Sequence, residues 1–372
     1  MKIQKWLCRM LCIALLTVSV CAQAPDGEAA VEQLASVLDT TPKKLLQADG
    51  VVPGDSLSDW IALVAVRNGY ADDRDEYLQG LWEYVSQCYQ NDGGLDPVKA
   101  TIWHRISLTV LALGADPTCF GEDNQGNLIN LIADGTYNWS VTDSLGTQGT
   151  NAWIYALLTL DAGGYEAPAD GKYTRERIIG EILACQNEDG GFHLGSGISD
   201  VDVTAMALQA LAPYQEQNEE VRGCIDPALE YLSQTQTAQG DFMNWESTSS
   251  ESCSQVILAL CALGIDPQSD GRFCKEGGSA LDGLLLYQVS GGGFSHQLGD
   301  TADLLATEQA AQALTALERF YAGESRLYDF TEAEIHPFVP QKSLTPAWLL
   351  AGAGAAVAGI VWIWKGKKKC IR

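Results

Sequence analysis

The sequence predicts an all-α fold, a closed (α/α)6 toroid of six inner and six outer helices. Two observations carry this. Alanine-rich segments that are apolar on nearly every side alternate with segments that are apolar on one face only. A helix of the first kind suits surroundings of protein, and one of the second suits a surface. Two marks also recur along the chain. Leu111-Ala112-Leu113-Gly114-Ala115-Asp116-Pro117 returns as Cys261-Ala262-Leu263-Gly264-Ile265-Asp266-Pro267. Gln186-Asn187-Glu188-Asp189-Gly190-Gly191-Phe192 returns as Gln236 to Phe242, and more loosely at Gln90 to Leu95 and Gln288 to Phe294. Repeats of roughly fifty residues indicate stacked supersecondary units, and closing them into a ring removes the need for capping repeats.

At the N-terminus Lys2, Lys5 and Arg9 flank an apolar run that ends in small residues at Val20-Cys21-Ala22, the pattern of a signal peptide over residues 1–22. The toroid then occupies residues 23–323. Outer helices are expected at Ala29–Gln47, Asp75–Gln90, Asn127–Asp134, Arg175–Gln186, Glu219–Gln234 and Gly278–Gln288. Inner helices are expected at Leu57–Asn68, Trp103–Leu113, Asn151–Leu160, Asp202–Ala212, Ser254–Leu263 and Thr307–Arg319. Residues 324–346 hold Pro337, Pro340 and Pro346 with little periodicity and read as a stalk. The apolar run 347–364 is about long enough to cross a bilayer, with tryptophans near its ends. Residues 365–372 form a basic tail, which places them in the cytoplasm and the bulk of the chain outside the cell.

The chain carries 23 Lys+Arg against 48 Asp+Glu, a formal net charge of −25, and its basic residues concentrate at the two ends. Such a balance argues against nucleic acid as a partner, because phosphate binding needs a basic face. Seven cysteines lie between the ends: Cys88, Cys119, Cys185, Cys224, Cys253, Cys261 and Cys274. Their number is odd and none forms a CxxC, so neither a disulfide framework nor a metal site is indicated. No cofactor is expected.

Alignment of the inner segments on their apolar cores places one polar residue of each at a common level. These are Asp59, His104, Asn151, Asp202, Ser254 and Glu308, spaced 45 to 54 residues apart. In a ring of parallel helices they would encircle one mouth, where six helix N-termini converge. Helix capping is the competing reading, since Asp, Asn and Ser are favoured caps. His193 and His296 each follow a Gly-Phe corner and could reach the same mouth, though exposed turns explain them as well. Trp103, Trp153 and Trp245 could line an apolar cavity or pack in the core.

The Gln-x-x-x-Gly-x-aromatic repeats resemble the QW repeats of squalene–hopene cyclases and the related repeats of protein prenyltransferase β subunits. Asp200-Val201-Asp202-Val203-Thr204-Ala205 resembles the Asp-x-Asp-Asp-Thr-Ala motif of class II terpenoid cyclases. The resemblance implies a proton-donating role for Asp202 and a supporting one for Asp200, with Val203 replacing the second member of the acidic pair. Cobalamin carriers such as intrinsic factor are similar toroids, so the fold alone leaves function open. The prenyltransferase zinc site is approached by Cys253 and His296 but lacks its Asp. The expectation is therefore a membrane-anchored extracellular toroid that binds a small molecule, isoprenoid-like or corrinoid, without catalysis. A class II cyclase-like enzyme using Asp202 as general acid is the alternative. A glycan-processing toroid with Asp202 and Glu308 as paired acids is a third.

Overall fold

The computed structural model describes residues 27–70, 72–195 and 197–341. The expected signal peptide, membrane helix and basic tail lie outside them, as does the end of the expected stalk. No helix among the described residues is long and apolar enough to cross a membrane. The chain divides into two units, 1–338 and 339–372; the architecture below is that of the first.

Twelve α-helices are found among the described residues of this unit, six outer and six inner. The outer helices are α1 (Gly27–Val37), α3 (Arg74–Asp92), α5 (Leu131–Gly135), α7 (Arg175–Leu183), α9 (Glu219–Thr235) and α11 (Ala280–Leu285). The inner ones are α2 (Ser56–Arg67), α4 (Thr101–Ala112), α6 (Thr150–Ala162), α8 (Val201–Leu211), α10 (Ser250–Ala262) and α12 (Leu304–Ala322). Each inner helix packs on the next, and α12 packs back on α2, so the ring is closed. In α8, Val203, Ala205, Ala207, Leu208 and Ala210 are all buried, as an inner position requires. Outer α9 shows the opposite pattern, burying Val221, Ile225, Ala228, Leu229 and Leu232 along one stripe.

The structure corrects several boundaries. The first outer helix stops at Val37 and is followed by a 3₁₀ turn, Pro42–Gln47, because Asp39 adopts φ 50° and proline cannot continue a helix. Helices α5 and α11 are single short turns rather than full outer helices. Two hairpins of two-residue strands, Met243–Asn244 with Ser247–Thr248 and Cys274–Lys275 with Gly278–Ser279, precede α10 and α11. The stalk expected from residue 324 does not begin there. Leu327, Tyr328 and Phe330 are buried, and the amides of Phe330 and His336 donate to the carbonyls of Ala162 and Gly114. This segment therefore covers the C-terminal ends of the inner helices, drawn there by its apolar side chains.

The recurring glutamine motif has a definite task. Gln186 Nε2 donates to the carbonyl of Gly190 in its own turn and to Cys224 of the next outer helix, at 2.9 and 2.8 Å. Gln236 repeats this with Gly240 and Phe273, at 2.9 and 3.0 Å. Gly240 sits at φ 101°, and a Cβ there would fall 2.2 Å from the Ser279 carbonyl, so only glycine fits. Phe192, Phe242 and Phe294 then fold into the core as fully buried rings. The motif thus welds successive helix pairs together.

Candidate functional site

The N-caps set the register of the inner helices. Asp55, Asp200, Ser249 and Asp303 cap α2, α8, α10 and α12, each accepting from backbone N–H groups of the first turn. Ala100 and Gly149 hold the same place without a side-chain bond. Two residues past the caps stand Leu57, Ile102, Asn151, Asp202, Glu251 and Leu305. Leu57 and Leu305 line the cavity at the centre of the ring, so this level is its rim. Of the six residues expected to form a ring, Asn151 and Asp202 lie on it.

The other four lie two or three residues further on, for a geometric reason. Two residues turn a helix by about 200°, which sends Asp59 and His104 away from the lumen. Asp59 is fully buried, accepting from Tyr77 of outer α3 at 2.7 Å and pairing with Arg105 at 2.9 Å. His104 Nε2 meets the Gly135 carbonyl of outer α5 at 2.6 Å, and burial lowers its pKa to about 4. Both belong to the layer between the rings. Three residues turn a helix by about 300°, so Ser254 and Glu308 come nearly back into line, one turn deeper. Ser254 spends its hydroxyl on the Ser250 carbonyl at 2.8 Å. Glu308 alone of these four lines the central cavity.

That cavity has a volume of about 420 Å³ and is lined by Ser56, Leu57, Trp60, Tyr155, Gln255, Leu305, Glu308, Gln309 and Gln312. A chain of amides leads into its wall, Gln209 donating to Gln255 at 3.0 Å and Gln255 to Gln309 at 3.1 Å. Glu308 is 1% exposed. Its Oε1 accepts from Gln312 at 2.5 Å, while Oε2 is buried with no partner among the described residues. Burial pushes its pKa up from 4.5 to about 8, against a small opposing effect of Gln312. A raised acid stabilises the fold at low pH, and that contribution disappears as pH climbs from 4.5 through 8. Urea titrations of Glu308→Gln should therefore show a flatter stability profile than wild type across that window, with the variant the more stable by a few kcal/mol above it. Parallel profiles would refute the assignment.

At the rim, Asp202 is half-buried and its Oδ1 has no geometric partner among the described residues. Its pKa is raised to about 6, chiefly by desolvation, with Asp200 and Glu251 adding and Ser252 and His296 opposing. Glu251 pairs with His296 Nδ1 at 2.9 Å, which raises the histidine in turn. Asp200 is committed elsewhere: it caps α8 through the Val203 amide at 3.0 Å and accepts from Asn244 at 3.3 Å. Val203 is buried. The motif thus supplies one acid to the opening. Asp202 and Glu308 sit in separate clusters, neither shifting the other.

The remaining expectations divide. Trp103 donates to Tyr89 at 2.7 Å and packs edge-on against Trp139, and Trp153 packs against Tyr173; both are core residues. Trp245 is 68% exposed on its hairpin at φ 58°, donating to the Ser199 carbonyl at 3.2 Å. His193 and His296 are not equivalent. Phe192 and Phe294 make matching bridges to Asp200 and Asp303, so His296 corresponds to Leu194 and His193 to Ser295. Only His296 joins the Asp202 cluster. Cys253 is fully buried and directed at the Phe242 backbone. The residues that sequence reasoning missed are Trp60, Tyr155 and the lumenal glutamines Gln255, Gln309 and Gln312. Glutamines inside otherwise apolar helices were the available signal.

Residues 142–274, from the approach to α6 to the hairpin after α10, match the family model described as the prenyltransferase alpha-alpha toroid domain. This toroid is 24% identical over 265 residues to a drimenyl diphosphate synthase of Streptomyces showdoensis, covering 70% of this chain and 48% of that enzyme. It is 30% identical over 141 residues to a drimenyl diphosphate synthase of Streptantibioticus cattleyicolor, covering 36% and 25%. The chain thus spans half or less of the length of these relatives. Candida albicans protein geranylgeranyltransferase-I, solved with GGPP, superposes with a TM-score of 0.54 at 13% identity, over 83% of this chain and 98% of that one. That likeness establishes the toroid fold. The expected resemblance to terpenoid cyclases and protein prenyltransferases therefore holds.

Proposed function

We propose that the toroid is a binding module for a small, largely apolar molecule with an isoprenoid-like body, seated in the central cavity and entering past Asp202. One observation carries the reading. The cavity lining holds no Lys or Arg, and the charged groups that act on Asp202 are Asp200, Glu251 and His296. A diphosphate head would meet carboxylates there rather than cations, and like charge is repelled strongly where water is scarce. Leu57, Leu305, Trp60 and Tyr155 offer an apolar upper wall to a hydrocarbon chain. A corrinoid macrocycle is far larger than this space. Surface display through the N- and C-terminal segments is part of the proposal, and protease protection of the toroid on intact cells would argue against it.

A second reading is favoured by one further observation. Asp202 keeps its proton to about pH 6, nearer the working range of a general acid than an ordinary carboxyl. The likeness to two drimenyl diphosphate synthases supports the same reading. An acid of that strength, whose neighbouring carboxyls raise its pKa further rather than lowering it, is poorly matched to protonating an alkene.

One pair of measurements separates the two. Titration with farnesol should show saturable binding that Asp202→Asn weakens no more than about tenfold, the value of one hydrogen bond. Incubation with farnesyl diphosphate should leave the substrate unchanged. Turnover by the wild type that Asp202→Asn abolishes would establish the enzyme instead, and absence of farnesol binding would end the binding reading.

A further inference from the structure

We propose that the barrel lumen recognises an alkylammonium group, with Trp60 and Tyr155 presenting their aromatic faces and Glu308 supplying the counter-charge. This deepens the binding reading by naming the ligand's polar end. It rests on the barrel being the binding site, but not on the isoprenoid body.

Three features of the lumen converge. Glu308 is almost wholly buried in a wall of leucine, glutamine, serine and aromatic side chains, and no basic side chain lines the cavity with it. A lone buried carboxyl is costly unless something offsets it. Its orientation is also prepared. The Tyr328 hydroxyl donates to Gln312 Oε1, which turns the Gln312 amide toward Glu308 Oε1 and leaves Oε2 buried without a partner among the described residues. The third feature is aromatic. Trp60 and Tyr155 line the same cavity with ring centroids 6.0 Å apart, and Tyr328 packs against Trp60 at 5.9 Å. Glu308 lines the same cavity as Trp60 and Tyr155 and acts electrostatically on Tyr155.

A cation in that space meets ring faces of negative quadrupole and a carboxylate in a medium that screens little. A metal ion fits less well. It needs several oxygen ligands, yet Gln255 Oε1 and Gln309 Oε1 already accept amide protons and no second carboxylate lines the cavity. The acidic rim of Asp202 and Glu251 favours entry of a cation. Binding should be accompanied by loss of the Glu308 proton to solvent at neutral pH, because the empty site holds that proton up to about pH 8.

Isothermal titration of the full chain with choline tests this, using 3,3-dimethylbutan-1-ol as the uncharged isostere. Choline should bind at least about tenfold more tightly than the alcohol, as a desolvated cation–π contact with a counter-ion implies. Titration at pH 7 in two buffers of different ionisation enthalpy should reveal one proton released. Glu308→Gln and Trp60→Leu should each cost about tenfold. Should either variant misfold, the wild-type Trp60 indole N–H resonance must still shift with choline and stay fixed with the alcohol. Equal binding of alcohol and choline, undiminished binding by Glu308→Gln, or no choline binding would overturn the proposal and leave a hydrated polar lumen. Choline failing while farnesol binds sinks this inference alone; farnesol failing while choline binds sinks the isoprenoid reading alone.

Discussion

Replacing Asp59 by alanine should cost the toroid about 3–5 kcal/mol, the usual penalty for leaving one member of a buried ion pair behind. Asp59 and Arg105 are 0% and 5% exposed, and they pair at 2.9 Å. The carboxylate also accepts from the Tyr77 hydroxyl and the Gly54 amide, at 2.7 and 3.0 Å. Arg105 reaches the Gly54 carbonyl at 2.9 Å. One side chain thus ties together α2, α4, outer α3 and the loop before α2. Its loss orphans a guanidinium, a phenol and an amide in a place water cannot reach. Urea unfolding should register the loss in the midpoint with little change in slope. The paired replacement Asp59→Leu with Arg105→Met should recover most of it, because the cost lies in the unpaired charge rather than in the missing attraction. A double variant as unstable as the single one would show instead that the pair is irreplaceable.

That Asp59 is a structural tie and not a member of the mouth illustrates what could be read from the sequence. The toroid was legible because burial on all sides leaves an unmistakable composition in α6, α8 and α10, and because Gln186 and Gln236 recur with their glycines. The mouth was legible only in part. Apolar cores locate a helix but do not set its rotation, and two residues of slip reverse the face that a side chain presents. The caps carry the missing phase. Asp55, Asp200, Ser249 and Asp303 precede their helices in the manner of ordinary N-caps. Counting from them brings Glu251 level with Asp202 and moves His104 into the core. The aromatic wall was hidden for a different reason. Trp60 and Trp103 look alike in sequence, and only the closed ring decides that one faces the lumen and the other faces Trp139.

The covering segment after α12 was the least legible part, and its anchor supplies the second large prediction. Arg67, at the end of α2, donates to three backbone carbonyls: Leu327 at 2.7 Å, and Arg326 and Asp329 at 2.6 Å each. Its guanidinium lies 4.2 Å from the centroid of Phe330. Burial and the nearby Arg319 lower its pKa to about 9, so it remains charged at neutral pH. These bonds grip backbone rather than side chains, which is why no pattern in residues 324–338 announces them. Arg67→Ala should cost about 3 kcal/mol, since charge-assisted hydrogen bonds are worth about 1.5–3 kcal/mol apiece and do not add fully. Arg67→Lys should recover little, because an ammonium cannot reproduce the planar fork. Hydrogen exchange distinguishes local from global loss. The amides of Phe330 and His336, bonded to Ala162 and Gly114, should exchange faster in Arg67→Ala, while those in the middle of α8 keep their protection relative to the new global stability. Tyr328 lies in the same segment and orients Gln312 toward Glu308. Releasing the anchor should therefore weaken choline binding as well, without touching any residue of the cavity wall. Unchanged exchange at Phe330 in Arg67→Ala would mean that the segment is held by its own buried rings, and Arg67 would then be a passenger.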